Sequence, residues 1–346
     1  MNDAGPDPTV WLVTGGLGFI GSHFIRKVIA ERPNVKVINL DAVTYAANPA
    51  NLADVSDHTR YSFVLGDIAD RRVVAEVFSH AKIDVVVNFA AETHVDRSIL
   101  DAEAFLRTDV LGTHVLLEAA RKAEVRRFVQ VSTDEVYGDV PSGSSTETAP
   151  LAPRSPYAAS KGGGDLQVLA YFATFGMPCI ITRGSNTYGP YQYPEKIIPL
   201  FITNLIDDEP VPLYGDGLQE RDWIHAEDHA QGILTVLEHG GNGEIYNLGG
   251  GAPRANIAIT RRLVELCGRS FETHVRHVTD RLGHDRRYSL DSTKARALGW
   301  APKHDFDAGL AETVAWYRKN EGWWRPIKSG EFAEYYRKQY ADRGSV

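Results

Sequence analysis

Cysteine is scarce in this chain of 346 residues, which contains only two. Cys179 and Cys267 cannot form a disulfide framework, and such low usage is typical of a reducing cytoplasm, where we expect the protein to act. No run approaches the roughly 20 apolar residues that a membrane span requires. Residues 1–9 lack a basic stretch followed by an apolar one, so we expect no signal peptide and interpret them as a disordered lead.

An excess of positive charge is also missing, because 45 acidic residues outnumber 37 basic ones and give a formal net charge of −8. Nucleic-acid binding favours a basic surface, so we expect no nucleic-acid partner, although small anionic ligands stay possible. The twelve histidines show no H-x-x-x-H spacing, and we predict no metal. The whole chain is 43% hydrophobic and 24% charged, a composition typical of an ordinary soluble enzyme or binding protein.

Short apolar runs alternate with helix-patterned segments through the first half of the chain. The runs are continuous and rich in Val, as expected for parallel strands that are buried on both faces. This alternation predicts an α/β fold with a doubly wound parallel sheet of the Rossmann type. The predicted strands lie at 10–13, 35–40, 61–66, 84–90 and 127–132, with further ones at 177–183 and 243–249.

The regular alternation fades after about residue 176. We therefore expect a Rossmann-type domain over 10–183, with catalytic residues, and a smaller, mainly substrate-binding domain over 184–346. The second domain is expected to be partly interleaved with the first, because the strand at 243–249 returns to the sheet. The length of the chain fits one large domain or two fused ones.

Glycines cluster in the string TGGLGFIG, directly after the first predicted strand. Gly16, Gly18 and Gly21 match G-x-G-x-x-G, and Gly15 begins the looser G-x-x-G-x-x-G. Such a loop lets the backbone approach a pyrophosphate at the positive end of a helix. Asp41, at the end of the second strand, is placed to bind the ribose hydroxyls of NAD and would repel the extra phosphate of NADP. NAD is the predicted cofactor, and the alternative is a glycine turn with a helix-capping aspartate.

A tyrosine and a lysine, Tyr157 and Lys161, stand four residues apart in SPYAASK. They share one face of a helix that Ser155 and Pro156 begin. Tyrosine has a reference pKa of about 10, and a neighbouring ammonium group is expected to lower the Tyr157 pKa enough for the phenolate to act as a base. The alternative is a chance surface pair.

Two acids, Asp134 and Glu135, stand side by side in VSTDEVYGD, immediately after Thr133. Consecutive residues of a regular strand point to opposite faces, so both acids reach one ligand only if the backbone turns where the strand ends. Gly138 is consistent with such a turn. The alternative is a solvated strand end.

Together these motifs resemble the extended short-chain dehydrogenase/reductase family, from about Val10 to Trp324. Within it, the acid pair and the strings AETHVDRSI, SNTYGPYQYPEK, ERDWIHAEDH, GHDRRYSLD and EGWWRP resemble the 4,6-dehydratases of dTDP-glucose. The resemblance implies that Thr133, Tyr157 and Lys161 act on a sugar hydroxyl beside the nicotinamide. It also implies a homodimer formed through two helices of each subunit, for which the apolar helices near 101–122 and 157–175 are candidates.

In that group the reaction is dehydration to a 4-keto-6-deoxy sugar nucleotide. The C4 hydroxyl is oxidised, water is eliminated across C5 and C6, and hydride returns to C6. The resemblance assigns Glu135 as the base at C5 and Asp134 as the acid at C6. Close carboxylates push one pKa upward, so a protonated Asp134 beside an ionised Glu135 is plausible. The alternatives are a UDP-sugar 4,6-dehydratase, a 4-epimerase, or a non-catalytic NAD-binding regulatory protein.

The predicted site comprises three sets of residues. The catalytic set is Thr133, Asp134, Glu135, Tyr157 and Lys161. The cofactor-binding set is Gly15, Gly18, Phe19, Ile20, Gly21, Asp41, Thr44, Asp67, Ile68, Ala90, Ala91, Tyr157 and Lys161. The sugar-nucleotide set is His94, Asn186, Lys196, Ile197, Pro212, Tyr214, Arg221, Asn256, Arg281, His284 and Tyr288. Ala42, Thr187 and Leu282 depart from the residues usual in the family.

Overall fold

The structure is a computed structural model that describes residues 9–251 and 253–329, together with 332, 334 and 336. Residues 1–8 of the predicted disordered lead lie outside the described residues, and Thr9 already belongs to the first strand. The strands are β1 (Thr9–Thr14), β2 (Val35–Asp41), β3 (Tyr61–Leu65), β4 (Val85–Asn88), β5 (Arg127–Thr133), β6 (Cys179–Gly184), β7 (Asn186–Tyr188), β8 (Val211–Tyr214), β9 (Glu220–Arg221), β10 (Trp223–His225), β11 (Ile245–Leu248), β12 (Arg254–Ala255) and β13 (Val275–Val278).

Helices connect these strands. They are α1 (Phe19–Glu31), α2 (Arg71–His80), α3 (Val95–Leu100), α4 (Ala102–Phe105), α5 (Thr113–Lys122), α6 (Pro156–Phe175), α7 (Ile197–Ile206), α8 (Ala226–His239), α9 (Asn256–Leu266), α10 (Phe271–His274), α11 (Thr293–Arg296), α12 (Phe306–Lys319) and α13 (Glu321–Trp324). A π-helical segment, Leu106–Gly112, joins α4 to α5. Among the described residues, no helix is both long and apolar enough to cross a bilayer.

Seven strands form one parallel sheet in the order β11-β6-β5-β4-β1-β2-β3. The predicted doubly wound sheet is therefore confirmed. The chain runs outward from β1 to β3 and then resumes on the other side at β4. Where the direction of winding reverses, between β1 and β4, the helices leave a crevice at the carboxyl ends of the strands, and ligands bind in such crevices.

Both faces of the sheet are covered, which explains the continuous apolar runs. Leu12 and Val13 point to opposite faces, and both are fully buried. On one face, Phe24 of α1 and Ile233 of α8 belong to the same core as Val13. On the other face, Leu116 of α5 packs in the core that contains Leu12, together with residues of α2 and α6.

A smaller lobe, here called the second lobe, lies beside the carboxyl ends of the strands. It has a core of its own, in which α7, α9, α12 and α13 pack together. The Trp324 side chain is fully buried there, and its Nε1 donates a hydrogen bond to the Tyr317 carbonyl at 2.8 Å. Trp323 donates to Asn51 Oδ1 at 2.9 Å, which ties this lobe to the segment that follows β2. Both tryptophans therefore serve as structural anchors.

Candidate active site

A cavity of about 550 Å³ opens between the carboxyl ends of the strands and the second lobe. Every predicted site residue except Tyr288 lines it, although these residues come from segments as distant as Gly15 and His284. Tyr288 is buried behind the cavity wall, because its ring lies under the Arg221 guanidinium at 4.2 Å and its hydroxyl donates to Asp285. Its ring supports the Arg221 side chain, and its assignment as a sugar-nucleotide contact stays a prediction.

The glycine loop forms the cavity wall between β1 and α1. Gly15 has φ of 67°, and a Cβ added there would lie 2.6 Å from the backbone nitrogen of Ala90. A Cβ at Gly21 would lie 2.5 Å from the Gly15 carbonyl oxygen. A Cβ added at Gly18 would have only the same Gly15 oxygen within 4 Å, at 3.1 Å. Apart from that oxygen, Gly18 faces open space at the amino end of α1. The loop thus leaves room for a pyrophosphate at a helix amino terminus, where it is favoured.

Two carboxylates flank this loop. Asp41 accepts hydrogen bonds from the backbone nitrogens of Leu17, at 2.9 Å, and Val43, at 2.8 Å, and burial raises its pKa. Each of its oxygens keeps a lone pair for a ribose hydroxyl. Asp67 pairs with Arg107 at 2.9 Å on the cavity rim. The residues present therefore fit the adenosine half of NAD.

Asp134 and Glu135 lie on a turn that follows β5, and such a turn is required if both acids are to reach one ligand. Asp134 to Tyr137 form a 3-10 helix directly after β5, and it ends at Gly138 with φ of 74°. Thr133 Oγ1 caps it, accepting from the Glu135 nitrogen at 3.3 Å and donating to Asp134 Oδ1 at 3.2 Å. Both acids line the cavity.

The two acids differ in their electrostatic surroundings. Burial, and then the neighbouring Glu135 charge, raises the pKa of Asp134 well above its ordinary value. Burial also raises the pKa of Glu135, but Arg281, Arg221 and Lys196 oppose that rise. The pair therefore favours a proton on Asp134 and the charge on Glu135.

Tyr157 and Lys161 begin α6, which Ser155 caps by accepting from the Ala158 nitrogen at 3.1 Å. Lys161 Nζ donates to the Val131 carbonyl at 2.9 Å. The expected lowering of the Tyr157 pKa is not found. Burial raises it well above the ordinary value, the charges of Glu135 and Asp109 add to the rise, and the hydrogen bond with Thr133 opposes it.

Three cations, Lys196, Arg221 and Arg281, also line the cavity, and all three act on the charge of Glu135. Arg221 is buried, and its Nη2 donates to the Asp285 carbonyl at 2.9 Å. Asn186 Oδ1 and Asn256 Oδ1 are buried and lack a hydrogen-bond partner among the described residues. The cations can bind a diphosphate, and the two asparagine oxygens can accept hydrogen bonds from hydroxyl groups attached to it.

Sequence reasoning missed a network of residues around Lys196, of which Thr93 and Glu195 also line the cavity. Glu195 is buried and pairs with Arg97 at 3.0 Å, while the Arg97 guanidinium stacks on the Tyr45 ring at 3.7 Å. Lys196 Nζ donates to the Thr93 carbonyl. The signal lay in the strings AETHVDRSI and PEK, from which only His94 and Lys196 are predicted as site residues.

The three departures from the family pattern lie in different surroundings. Thr187 Oγ1 bonds to His229 Nδ1 at 2.8 Å inside the protein, although Thr187 also borders the cavity. Leu282 is 81% exposed and does not line the cavity. Ala42 lines it on the cofactor side.

The fold also groups three potential metal ligands that the sequence spacing did not suggest, namely His225, Glu227 and His304. The two imidazole rings stack with centroids 4.0 Å apart at 24°. Stacked rings direct their in-plane lone pairs side by side and not at one point, so this grouping does not form a coordination site as it stands. The absence of a metal stays a prediction.

Comparison with known proteins agrees with this geometry. A model of the GDP-mannose 4,6-dehydratase family matches residues 12–313. The dTDP-glucose 4,6-dehydratase of Streptomyces niveus is 50% identical over 327 residues, which are 93% of this chain and 96% of that protein.

Solved structures show the same likeness. DesIV, a dTDP-glucose 4,6-dehydratase from Streptomyces venezuelae crystallised with NAD, matches with a TM-score of 0.90 and 53% identity, covering 92% of this chain and all of DesIV. The UDP-glucose 4-epimerase of Thermotoga maritima matches with a TM-score of 0.84 but only 30% identity, covering 90% of this chain and all of the epimerase. The chain belongs to the GDP-mannose 4,6-dehydratase family.

Proposed function

We propose that this protein is an NAD-dependent hydro-lyase that converts dTDP-glucose into dTDP-4-keto-6-deoxyglucose and water. The observation that carries the proposal is the 3-10 turn after β5, which presents Asp134 and Glu135 to the cavity that Tyr157 and Lys161 also line. Oxidation alone needs the tyrosine and lysine, whereas elimination needs both a base and an acid.

Each residue then has one task. Tyr157, when its phenol is ionised, accepts the proton of the C4 hydroxyl. Glu135 removes the C5 proton, and Asp134 protonates the C6 hydroxyl so that it leaves as water. NAD, held by the glycine loop and Asp41, would supply a hydride acceptor for oxidation at C4 and a hydride donor for C6, so that the sugar would undergo no net oxidation. Glu135 gives its proton back to C5, while Tyr157 and Asp134 recover their starting states by exchange with solvent.

The sugar-nucleotide side supports a diphosphate substrate. Arg221, Arg281 and Lys196 all stabilise the negative charge of Glu135, which means that their fields converge where the sugar would lie. The high identity to dTDP-glucose dehydratases favours dTDP-glucose, and a UDP-sugar is the second candidate. A 4-epimerase needs no acid pair, and a non-catalytic NAD-binding protein needs neither the pair nor Tyr157.

Incubation of the purified protein with NAD and dTDP-glucose tests the proposal. We expect a keto sugar, detected by the absorbance of its enolate in alkali, and no dTDP-galactose. UDP-glucose serves as the competing substrate, and Tyr157→Phe as the inactive control. Formation of dTDP-galactose would identify an epimerase, and the absence of turnover with both sugars would support a binding protein.

We further infer a division of labour along the chain. Residues 10–183 would hold NAD and the catalytic groups, and residues 184–346 would mainly bind the sugar nucleotide, with 243–249 returning to the sheet. The two cysteines are both buried and unpaired, which supports a cytoplasmic location.

We also infer a homodimer formed through the helical segments 101–122 and 157–175. Four apolar side chains of this region are largely exposed: Leu106, Leu111, Leu166 and Phe175 have exposed fractions of 55%, 40%, 57% and 53%. Apolar groups gathered on neighbouring helices suit an interface with a second copy. Sedimentation analysis of Leu166→Glu should show a monomer, whereas the parent should sediment as a dimer.

A further inference from the structure

One buried acid close to the reacting groups has no task in the proposed reaction. Asp109 lies in the π-helical segment Leu106–Gly112 and is 1% exposed. Such segments are rare and occur frequently at functional sites, because the extra residue in the turn redirects a side chain. The segment packs against α6, so closely that a Cβ at Gly164 would lie 2.8 Å from the Asp109 carbonyl oxygen.

The carboxylate of Asp109 connects three parts of the active site. Its Oδ2 accepts a hydrogen bond from Ser160 Oγ at 2.6 Å, and Ser160 immediately precedes Lys161. Its Oδ1 accepts from the backbone nitrogen of Glu92 at 3.3 Å, in the loop after β4 that lines the cavity. A single side chain therefore fixes the start of α6 relative to the cofactor side of the cavity.

Charged and titratable groups face Asp109 from two of these elements. Lys161 and Tyr157 face it from α6, and Glu92 faces it from the loop after β4. Burial raises the pKa of Asp109 to about 6, against the opposing effects of Lys161 and the Ser160 hydroxyl. The Asp109 charge in turn raises the pKa of Tyr157 and of Glu92.

We propose that Asp109 is a positioning residue for the oxidation step: it holds Lys161 in place through Ser160, and its charge sets the pH at which Tyr157 accepts the sugar proton. The inference rests on the proposed function. It adds a residue that touches neither sugar nor cofactor.

The Asp109→Asn variant removes the charge and keeps the shape and the shorter hydrogen bond, because the amide oxygen can still accept from Ser160, while only the long bond from the Glu92 nitrogen is lost. The measurement is the rate of the first hydride transfer in a single turnover with dTDP-glucose, followed by NADH absorbance from pH 5 to 11. The profile extends to pH 11, because burial raises the pKa of Tyr157 above its ordinary value. Loss of a negative charge near Tyr157 should move the midpoint of the profile to lower pH by about half a unit or more. Glu103→Gln, which removes an exposed charge from the adjoining helix α4, should leave the midpoint unchanged.

The result with the parent protein distinguishes failure of the proposed function from failure of the role of Asp109. If the parent forms no NADH with dTDP-glucose, the proposed function fails. If the parent forms NADH and the Asp109→Asn profile superposes on it, the role of the Asp109 charge is wrong.

Ser160→Ala tests the positioning role, also in the event that Asp109→Asn does not fold. Without the Ser160 hydroxyl, Lys161 loses its link to Asp109 while the charge remains. We expect the single-turnover rate to fall about tenfold across the pH range. An unchanged rate would overturn the positioning role.

Discussion

The two sides of the cavity are built from different parts of the polypeptide. The cofactor side is a backbone surface, in which Gly15 and Gly21 permit contacts that no side chain would allow. The sugar-nucleotide side is made of long side chains, of which Lys196, Arg221 and Arg281 come from three distant segments. A backbone surface depends on local sequence, whereas a side-chain surface depends on long-range packing. The following experiments test that contrast.

The largest effect is expected for Glu135→Gln on the sugar side. Glutamine cannot remove the C5 proton, so formation of the keto-deoxy sugar should fall by about 10³-fold. The first hydride transfer should persist and give NADH that is visible in a stopped-flow trace. Glu312→Gln, on the exposed face of α12, is the matched control. Product formation at the parental rate would show that Glu135 is not the base.

Gly15→Ala should act on the cofactor side alone. The methyl group would meet the backbone of Ala90 at 2.6 Å, and φ of 67° adds strain. We expect NAD to bind about 100-fold more weakly, as measured by fluorescence titration. Gly143→Ala has a similar φ of 71° with nothing within 4 Å, so it separates strain from collision. If both variants bind NAD equally well, the close approach at Gly15 is unimportant.

Arg221→Lys should affect the sugar nucleotide and spare NAD. Lysine keeps the charge but loses the planar group that stacks on Tyr288 and donates to the Asp285 carbonyl. The KM for dTDP-glucose should rise about tenfold, with a smaller change in kcat. Lys27→Arg on α1 is a control that leaves the site untouched. A weaker affinity for NAD in Arg221→Lys would mean that the two sides are not independent.

The smallest effect concerns stability. The pKa of Asp134 is raised in the folded protein, so the folded state binds the proton more tightly than the unfolded state does. The free energy of unfolding therefore falls as pH rises from the unfolded pKa towards the folded one. Asp134→Asn abolishes this loss and should be more stable than the parent by about 1 kcal/mol at pH 8, with no gain at pH 4. Urea unfolding at both pH values checks this, and an equal gain at pH 4 would contradict it.

Much of the fold could be predicted because its signals are local. The buried strands on either side of TGGLGFIG, and Asp41 at the end of β2, follow from short strings. The adjacent acids Asp134 and Glu135 indicated that the backbone turns after β5, and the 3-10 helix there forms this turn.

What could not be predicted depends on burial and on contacts between distant segments. A lysine four residues away suggested a lowered Tyr157 pKa, but burial and two nearby acids raise it. The string that contains Tyr288 gave no sign that its ring packs beneath Arg221, because that contact joins two distant segments. The position of Asp109 beside the active site could not be predicted, because only the packing of α6 against the π-helical segment brings Asp109 near Lys161.

The hydroxyl of Thr133 has one proton to donate and two lone pairs. One lone pair caps the turn by accepting from Glu135, and the single proton is shared between Asp134, through a long bond of 3.2 Å, and Tyr157. A sugar hydroxyl that accepts from Thr133 would redirect that proton without uncapping the turn. Asp134 would then lose its only side-chain donor within hydrogen-bonding distance among the described residues, which raises its affinity for a proton at the moment when an acid is needed. Arrival of the substrate would thus prepare the acid that later expels water.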